Sequence, residues 1–383
     1  MNITFGVTER CNLACKYCYV HKQPKTMTLE TAEQTIKYFT DKFDATVAAG
    51  KRINVALHGG EPLLNFDVIR YIIKTLKERY DGHIIFTMTT NGTVFEKDIY
   101  DFIKGKVQIS VSIDGNRKTN DTNRIYPNGE SSFDKVVETL KFLKEQGEYI
   151  RVRMTVNKET LPAMAENYIY LDQMDMGVVT FALDAGAAWN QQDMQIYYEN
   201  YEKIMEYMIE KDKKAAQYLL FNIKEATFRR RTGCDGGTNT FHISADGGIY
   251  PCALAADKVD YWLGDVWKGL QPEKLEALHK INEIPVTGCG DCTFKQNCSS
   301  QVCKLINKAY TGDYYTVSAF QCNERDIVYR IYKKYKYNLY FCRNITYVFM
   351  HKFLLIINSC KFFCKPYPLH QFPALFISFT ECC

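Results

Sequence analysis

No leading hydrophobic segment opens this chain: Met1–Arg10 runs straight into the short apolar stretch Ile3–Val7 and lacks the apolar core of a secretion signal. Without export, disulfides are not expected, and a reducing cytoplasmic setting is the expectation for a chain with fifteen cysteines. A basic excess is also missing from the main body. Residues 323–383 hold nine Lys or Arg against three acids, which leaves the preceding 322 residues at −2 of the overall +4. That balance argues against a nucleic-acid partner. A clean membrane span is absent too, since the apolar stretch Ile345–Cys364 is broken by His351, Lys352 and Lys361. At 383 residues, 46% hydrophobic and 24% charged, the composition is that of a soluble globular protein with more than one domain.

Short β-rich runs alternate with amphipathic stretches as far as about Asp184. The pattern predicts strands over Ile3–Thr8, Ile53–His58, Ile84–Thr90, Val107–Ile113, Ile150–Val156 and Val178–Leu183. It predicts helices over Leu29–Phe43, Phe66–Tyr80, Phe133–Gln146 and Ala163–Met174, with Thr28 capping the first and Asn65 or Asp67 the second. Gly147 suits a helix C-terminus. Such alternation implies a parallel sheet with right-handed crossovers. Six units fall short of a closed eight-unit barrel, so the expected fold class is α/β, a partial (β/α)6 barrel. Its chemistry belongs at the carboxyl ends of the strands.

Cys11-Asn-Leu-Ala-Cys15-Lys-Tyr17-Cys18 follows the first predicted strand and places three thiols on one short loop. Cysteine thiolates are the usual ligands of iron–sulfur clusters, which take four. Three local ligands leave one coordination position open, where a small molecule binds and reacts. A zinc knuckle is the competing reading of the spacing. After the second strand stands His58-Gly59-Gly60-Glu61-Pro62, whose glycines permit close backbone approach and whose acid accepts from an ammonium group. His58 by itself reads as a hydrogen-bonding neighbour rather than a catalyst. Thr90-Asn91-Gly92-Thr93 follows the third strand, Ser112-Ile113-Asp114-Gly115 the fourth, and Arg153 lies within the fifth. Each is an ordinary turn or ion-pair element alone; their order along successive strands is the informative feature.

The motif C-x3-C-x-Tyr-C at a strand end resembles the signature of radical S-adenosylmethionine (radical SAM) enzymes. The resemblance implies that Cys11, Cys15 and Cys18 hold a [4Fe-4S] cluster whose open iron chelates SAM. It further implies that SAM is contacted around Tyr17, Gly59, Gly60, Glu61, Asn91, Ser112, Arg124 and Arg153. The implied reaction is reductive cleavage of SAM to a 5′-deoxyadenosyl radical, which abstracts hydrogen from a substrate. No catalytic base is assigned.

After residues 185–231, which read as a helical connection ending in the basic run Phe228–Thr232, the cysteines resume. Phe241–Ser244 and Gly248–Tyr250 flank Ala245-Asp246-Gly247, a hairpin signature. Cys289-x2-Cys292-x5-Cys298-x4-Cys303 then packs four thiols into a short segment, a pattern that zinc ribbons share. Together with Cys234-x12-Gly247-x4-Cys252 and Cys322 it resembles the SPASM extension of radical SAM enzymes, with one extra residue before Cys303. The resemblance implies two auxiliary [4Fe-4S] clusters. Cys289, Cys292, Cys298 and Cys322 would hold one; Cys234, Cys252 and Cys303 would hold the other, one thiolate short. The implied layout is a barrel over 1–185, a connection over 186–231, an auxiliary-cluster domain over 232–322 and an atypical tail over 323–383. The first dozen residues of that tail are expected to form a closing helix, and the part beyond about 340 to lie outside the fold.

SPASM-type enzymes mostly modify peptides or proteins. The resemblance therefore implies a peptide or protein substrate, an electron donor such as flavodoxin or ferredoxin, and a separate precursor-binding protein if this chain does not capture the peptide itself. Thioether or carbon–carbon crosslinking and epimerisation are the implied activities, with sulfatase formylglycine formation as the alternative. In sulfatase maturases an Asp follows the hairpin cysteine and acts as base, whereas this chain has Ala253. A non-enzymatic zinc or iron–sulfur electron-transfer protein is the reading from another class.

Overall fold

Period-two burial sets the architecture. In β1 (Asn2–Thr8) Ile3, Phe5 and Val7 are buried; in β2 (Ile53–Gly59) so are Ile53, Val55 and Leu57. The computed structural model describes residues 1–212 and 233–336, together with 216, 219–220 and 222–224. The sequence expectations for Phe228–Thr232 and for the chain beyond 340 lie outside the described residues.

Six strands stand parallel in chain order: β1, β2, β3 (Ile84–Thr90), β4 (Val107–Ser112), β5 (Ile150–Val156) and β6 (Gly177–Leu183). Between them run α1 (Leu29–Ala48), α2 (Phe66–Tyr80), α3 (Lys97–Ile103), α4 (Arg117–Asn123), α5 (Phe133–Glu145) and α6 (Met164–Gln173), and α7 (Gln191–Lys211) follows β6. The sheet is open, with β6 at one end. On its other side β7 (Thr240–Ile243) adds parallel to β1, and β8 (Gly248–Tyr250), β9 (Gly264–Asp265) and β10 (Gly269–Leu270) continue it antiparallel. The cysteine-rich part therefore extends the barrel sheet rather than starting a new one.

Thr28 caps α1 through a bond from the Thr31 backbone N–H, as its position predicts. Asn65 sits at the N-cap of α2 but does not cap it. Its amide donates instead to the carbonyls of Val7 and Met27, tying β1 to the chain entering α1. Phe39 of α1 meets Phe241 of β7 at 4.9 Å between ring centroids, which identifies the helix-facing side of the sheet. The other face carries most of the polar strand residues, among them Thr4, His58, Thr87, Thr89, Ser110, Ser112, Arg151, Arg153 and His242. Arg117–Asn123 escapes periodicity because it is a seven-residue helix of polar residues, buried at Thr119, Asn120 and Asn123.

Residues 319–336 are helical, so the closing helix begins before the composition changes and takes in Cys322. It packs on α7 with Ile327 and Ile331 buried, Arg330 over the Tyr198 ring at 4.1 Å and Lys334 paired with Glu202 at 2.6 Å. Among the described residues no helix is long and apolar enough to cross a membrane.

Candidate functional site

The loop leaving β1 carries Cys11, Cys15 and Cys18 as free thiols at the carboxyl edge of the sheet. Three strand ends hold it. From β2, the backbone N–H groups of Gly60 and Glu61 donate to the carbonyls of Thr8 and Arg10 at 2.9 and 2.8 Å. A Cβ on Gly59 would stand 2.4 Å from the Thr8 oxygen, and one on Gly60 2.4 Å from the Arg10 oxygen. These glycines thus admit the chain's own backbone, at Thr8 and at Arg10. From β3, Asn91 donates to Asn12 Oδ1 at 2.9 Å, and its amide nitrogen lies 3.8 Å from Cys11 Sγ. From the segment after β4, the carbonyls of Asn123 and Ile125 accept from the backbone N–H groups of Lys16 and Ala14.

Glu61 is wholly buried. Its Oε1 accepts from Leu63 N–H and Thr90 Oγ1 and its Oε2 from Asn91 N–H, at 3.1, 2.8 and 2.7 Å. Burial pushes its carboxyl up to about 7 against these three donors. Its first role in this geometry is to join the ends of β2 and β3 beneath the cysteine loop.

Tyr17, Asp114 and Arg124 form a second buried group. Asp114 accepts from Arg124 Nε at 3.0 Å, from Thr155 N–H at 2.9 Å and from the Tyr17 hydroxyl. Arg124 Nη1 reaches Cys15 Sγ at 4.0 Å, and the guanidinium lies over the Tyr17 ring at 5.3 Å. Burial works against the Arg124 charge, yet Asp114, Tyr17 and Cys15 hold it above its ordinary value. Burial raises the Cys15 thiol, and Arg124 draws it back. Gly115 adopts φ +140°, and a Cβ there would collide with the Asn167 side chain, which accepts from Asn116 N–H. Ser112 stands in register with Arg153 on β5.

The remaining cysteines separate into two neighbourhoods. Burial and the charges of Cys298, Cys289 and Cys292 raise the Cys322 thiol. Burial pushes the Cys252 thiol up to about 12, with Cys303 and Cys234 adding to the shift. These neighbourhoods group the cysteines as Cys289/Cys292/Cys298/Cys322 and Cys234/Cys252/Cys303, the same sets that the resemblance implies. Among the described residues no three His, Cys, Asp or Glu side chains close on a single metal ion. A cubane cluster is larger than one ion and spaces its thiolates wider, so free thiols grouped at neighbour range, with orphaned buried polar atoms at Ser300 and Gln301 beside them, fit such a group. Asp114 and Asn12 are the residues contacting this loop that sequence reading missed; the Ser-x-Asp-Gly motif was the available signal for the first.

Residues 6–166 match the radical SAM superfamily. A protein of Methanocaldococcus jannaschii is 32% identical over 185 residues, covering 48% of this chain and 62% of its own length. The antilisterial bacteriocin subtilosin biosynthesis protein AlbA of Bacillus subtilis is 25% identical over 339 residues, 77% of this chain and 67% of its own. The chain thus spans about two thirds of each of these relatives. In fold it is similar to native anSMEcpe with bound AdoMet and Cp18Cys peptide, at a TM-score of 0.71 and 19% identity over 90% of this chain and 99% of the other. Streptococcus suis SuiB bound to precursor peptide SuiA follows at 0.59 and 14%, over 84% and 75%.

Proposed function

We propose that this chain, which carries a radical SAM domain over residues 6–166, is a peptide maturase that starts its reaction from S-adenosylmethionine. Radical SAM enzymes use a [4Fe-4S] cluster and SAM; here Cys11, Cys15 and Cys18 would hold the cluster. The chemistry a bound cluster and SAM supply is one-electron cleavage to methionine and a 5′-deoxyadenosyl radical, the hydrogen abstractor. The single observation that carries the reading is the cysteine loop seated on the ends of β1 to β4, with Asn91 and Arg124 each within 4.0 Å of one thiol. Tyr17, Asp114 and Arg124 orient that loop. Gly59, Gly60 and Glu61 fix its entry, and Ser112 and Arg153 offer a hydroxyl and a cation on the polar face of the sheet. Cys289, Cys292, Cys298 and Cys322 would hold one auxiliary cluster and Cys234, Cys252 and Cys303 the other, in a domain over 232–322.

The names of AlbA, a bacteriocin biosynthesis protein, and of SuiB bound to precursor peptide SuiA support a peptide substrate. The proposal adds a ribosomal origin for that peptide, a flavodoxin or ferredoxin as electron source in a reducing cytoplasm, and a precursor-binding protein as partner. Formylglycine formation is the second reading, favoured by the fold of peptide-bound anSMEcpe. Ala253 beside Cys252 supplies no base for it.

The test is anaerobic. The iron-loaded chain, given dithionite and SAM, is expected to release 5′-deoxyadenosine, and the triple Cys11/Cys15/Cys18→Ala chain none. Equal release from both chains sinks the proposal. Mass change of a neighbouring precursor peptide, against that of a Cys-containing sulfatase peptide, separates the two substrate readings.

A further inference from the structure

Lys304 is 2% exposed and ranks among the largest fully buried side chains in the structure. A buried ammonium needs negative partners for its three donors, or it is strongly destabilising. Lys304 Nζ has one neutral acceptor, the Gln301 carbonyl at 3.0 Å. No carboxylate among the described residues pairs with it; burial draws its ammonium below the ordinary value, and Cys289 and Cys303 are the negative groups that oppose this. Its backbone position compounds the problem. Lys304 is the first residue of the helix Lys304–Thr311, where the exposed N–H groups already give the helix end positive character. Acids belong there, and no acid occupies the first turn.

A positive side chain, a positive helix end and full burial thus converge between one cysteine of each auxiliary set. Neutral thiols leave that arrangement uncompensated. Four-iron clusters ligated by thiolates are net anions, and they supply the missing charge at both neighbours. We propose that Lys304 is the fixed counter-cation of the auxiliary clusters, a positioning residue whose charge raises the reduction potential of the cluster beside it. The inference rests on the auxiliary-cluster reading and extends it.

The experiment uses the full, anaerobically reconstituted chain. Iron and sulfide content are measured first in unmutated, Cys289→Ala and Cys303→Ala protein. Undiminished iron in both variants removes the clusters themselves, and the proposal with them. Where iron is lost, Lys304→Met and Lys304→Arg chains are titrated with redox dyes and read by electron paramagnetic resonance. At the potential where the unmutated auxiliary cluster is half reduced, Lys304→Met is expected to lower its reduced-to-oxidised ratio about tenfold, or ~59 mV for a one-electron couple. Lys304→Arg should restore most of it. An unchanged ratio in iron-replete Lys304→Met overturns the proposal. If Lys304→Met cannot be loaded with iron, retention of clusters in Lys304→Arg supports the charge requirement, and their loss in both variants assigns Lys304 to packing and overturns it.

Discussion

Asp114 accepts from Arg124 Nε at 3.0 Å with its carboxylate wholly shielded from solvent, while the same arginine reaches Cys15 Sγ at 4.0 Å. One buried ion pair therefore connects the carboxyl end of β4 to the cysteine loop. Removing one partner strands a buried charge, which costs about 3–5 kcal/mol. Asp114→Leu and Arg124→Met are each expected to lose stability of that order in urea titrations. The double variant should lose clearly less than the sum, because neither charge is then left alone. Strict additivity would show that the two act separately.

Gly60 provides a steric test of how the cysteine loop is held. Its missing Cβ would lie 2.4 Å from a backbone oxygen, so Gly60→Ala must push the Arg10 segment aside rather than a side chain. A stability loss of about 1–3 kcal/mol follows from such overpacking. The iron of the first cluster should fall selectively, leaving the auxiliary iron in place. Full iron occupancy in soluble Gly60→Ala protein would mean that the loop tolerates displacement.

The parallel strands were legible because apolar alternation and chain order both survive into the sheet; Ile84–Thr90 and Ile150–Val156 carry the same bounds in both readings. The cysteine sets rest on the family resemblance that the spacing carries. The motif around Asp114 was visible, but its pairing with Arg124 was not, since sequence does not show partners. Asn65 misled for a related reason: the N-cap residue type was right, but two distant carbonyls compete successfully for its amide. The close backbone packing at Gly59 and Gly60 was not legible, because a Gly-Gly pair does not say which segment it admits.

Cys298→Ala and Cys252→Ala test the division of the later cysteines. Cys298 is among the charges that act on Cys322, and Cys303 and Cys234 are those that act on Cys252. Each substitution is expected to remove the iron of one auxiliary cluster and spare the other, as read by iron analysis and resonance spectra of the reduced chain. Simultaneous loss of both signals from either variant would indicate one shared site.

Glu61 gives the folded chain a pH dependence whose sign can be worked out. Its carboxyl is raised from 4.5 to about 7 by burial, so between these values the unfolded chain has released a proton that the folded chain still holds. The contribution is therefore fully present below pH 4.5 and lost as pH rises through 7, by about 3 kcal/mol at most. Glu61→Gln cannot ionise. It should be less stable at low pH, where one buried N–H loses its acceptor at a cost of about 1–3 kcal/mol, and should lack this share of the slope. The measurement is the difference in unfolding free energy between the two chains at pH 5.5 and pH 8, which cancels the other titrating groups. That difference should shrink as pH rises; a gap that stays constant would place the Glu61 proton off well below pH 5.5 in the folded chain.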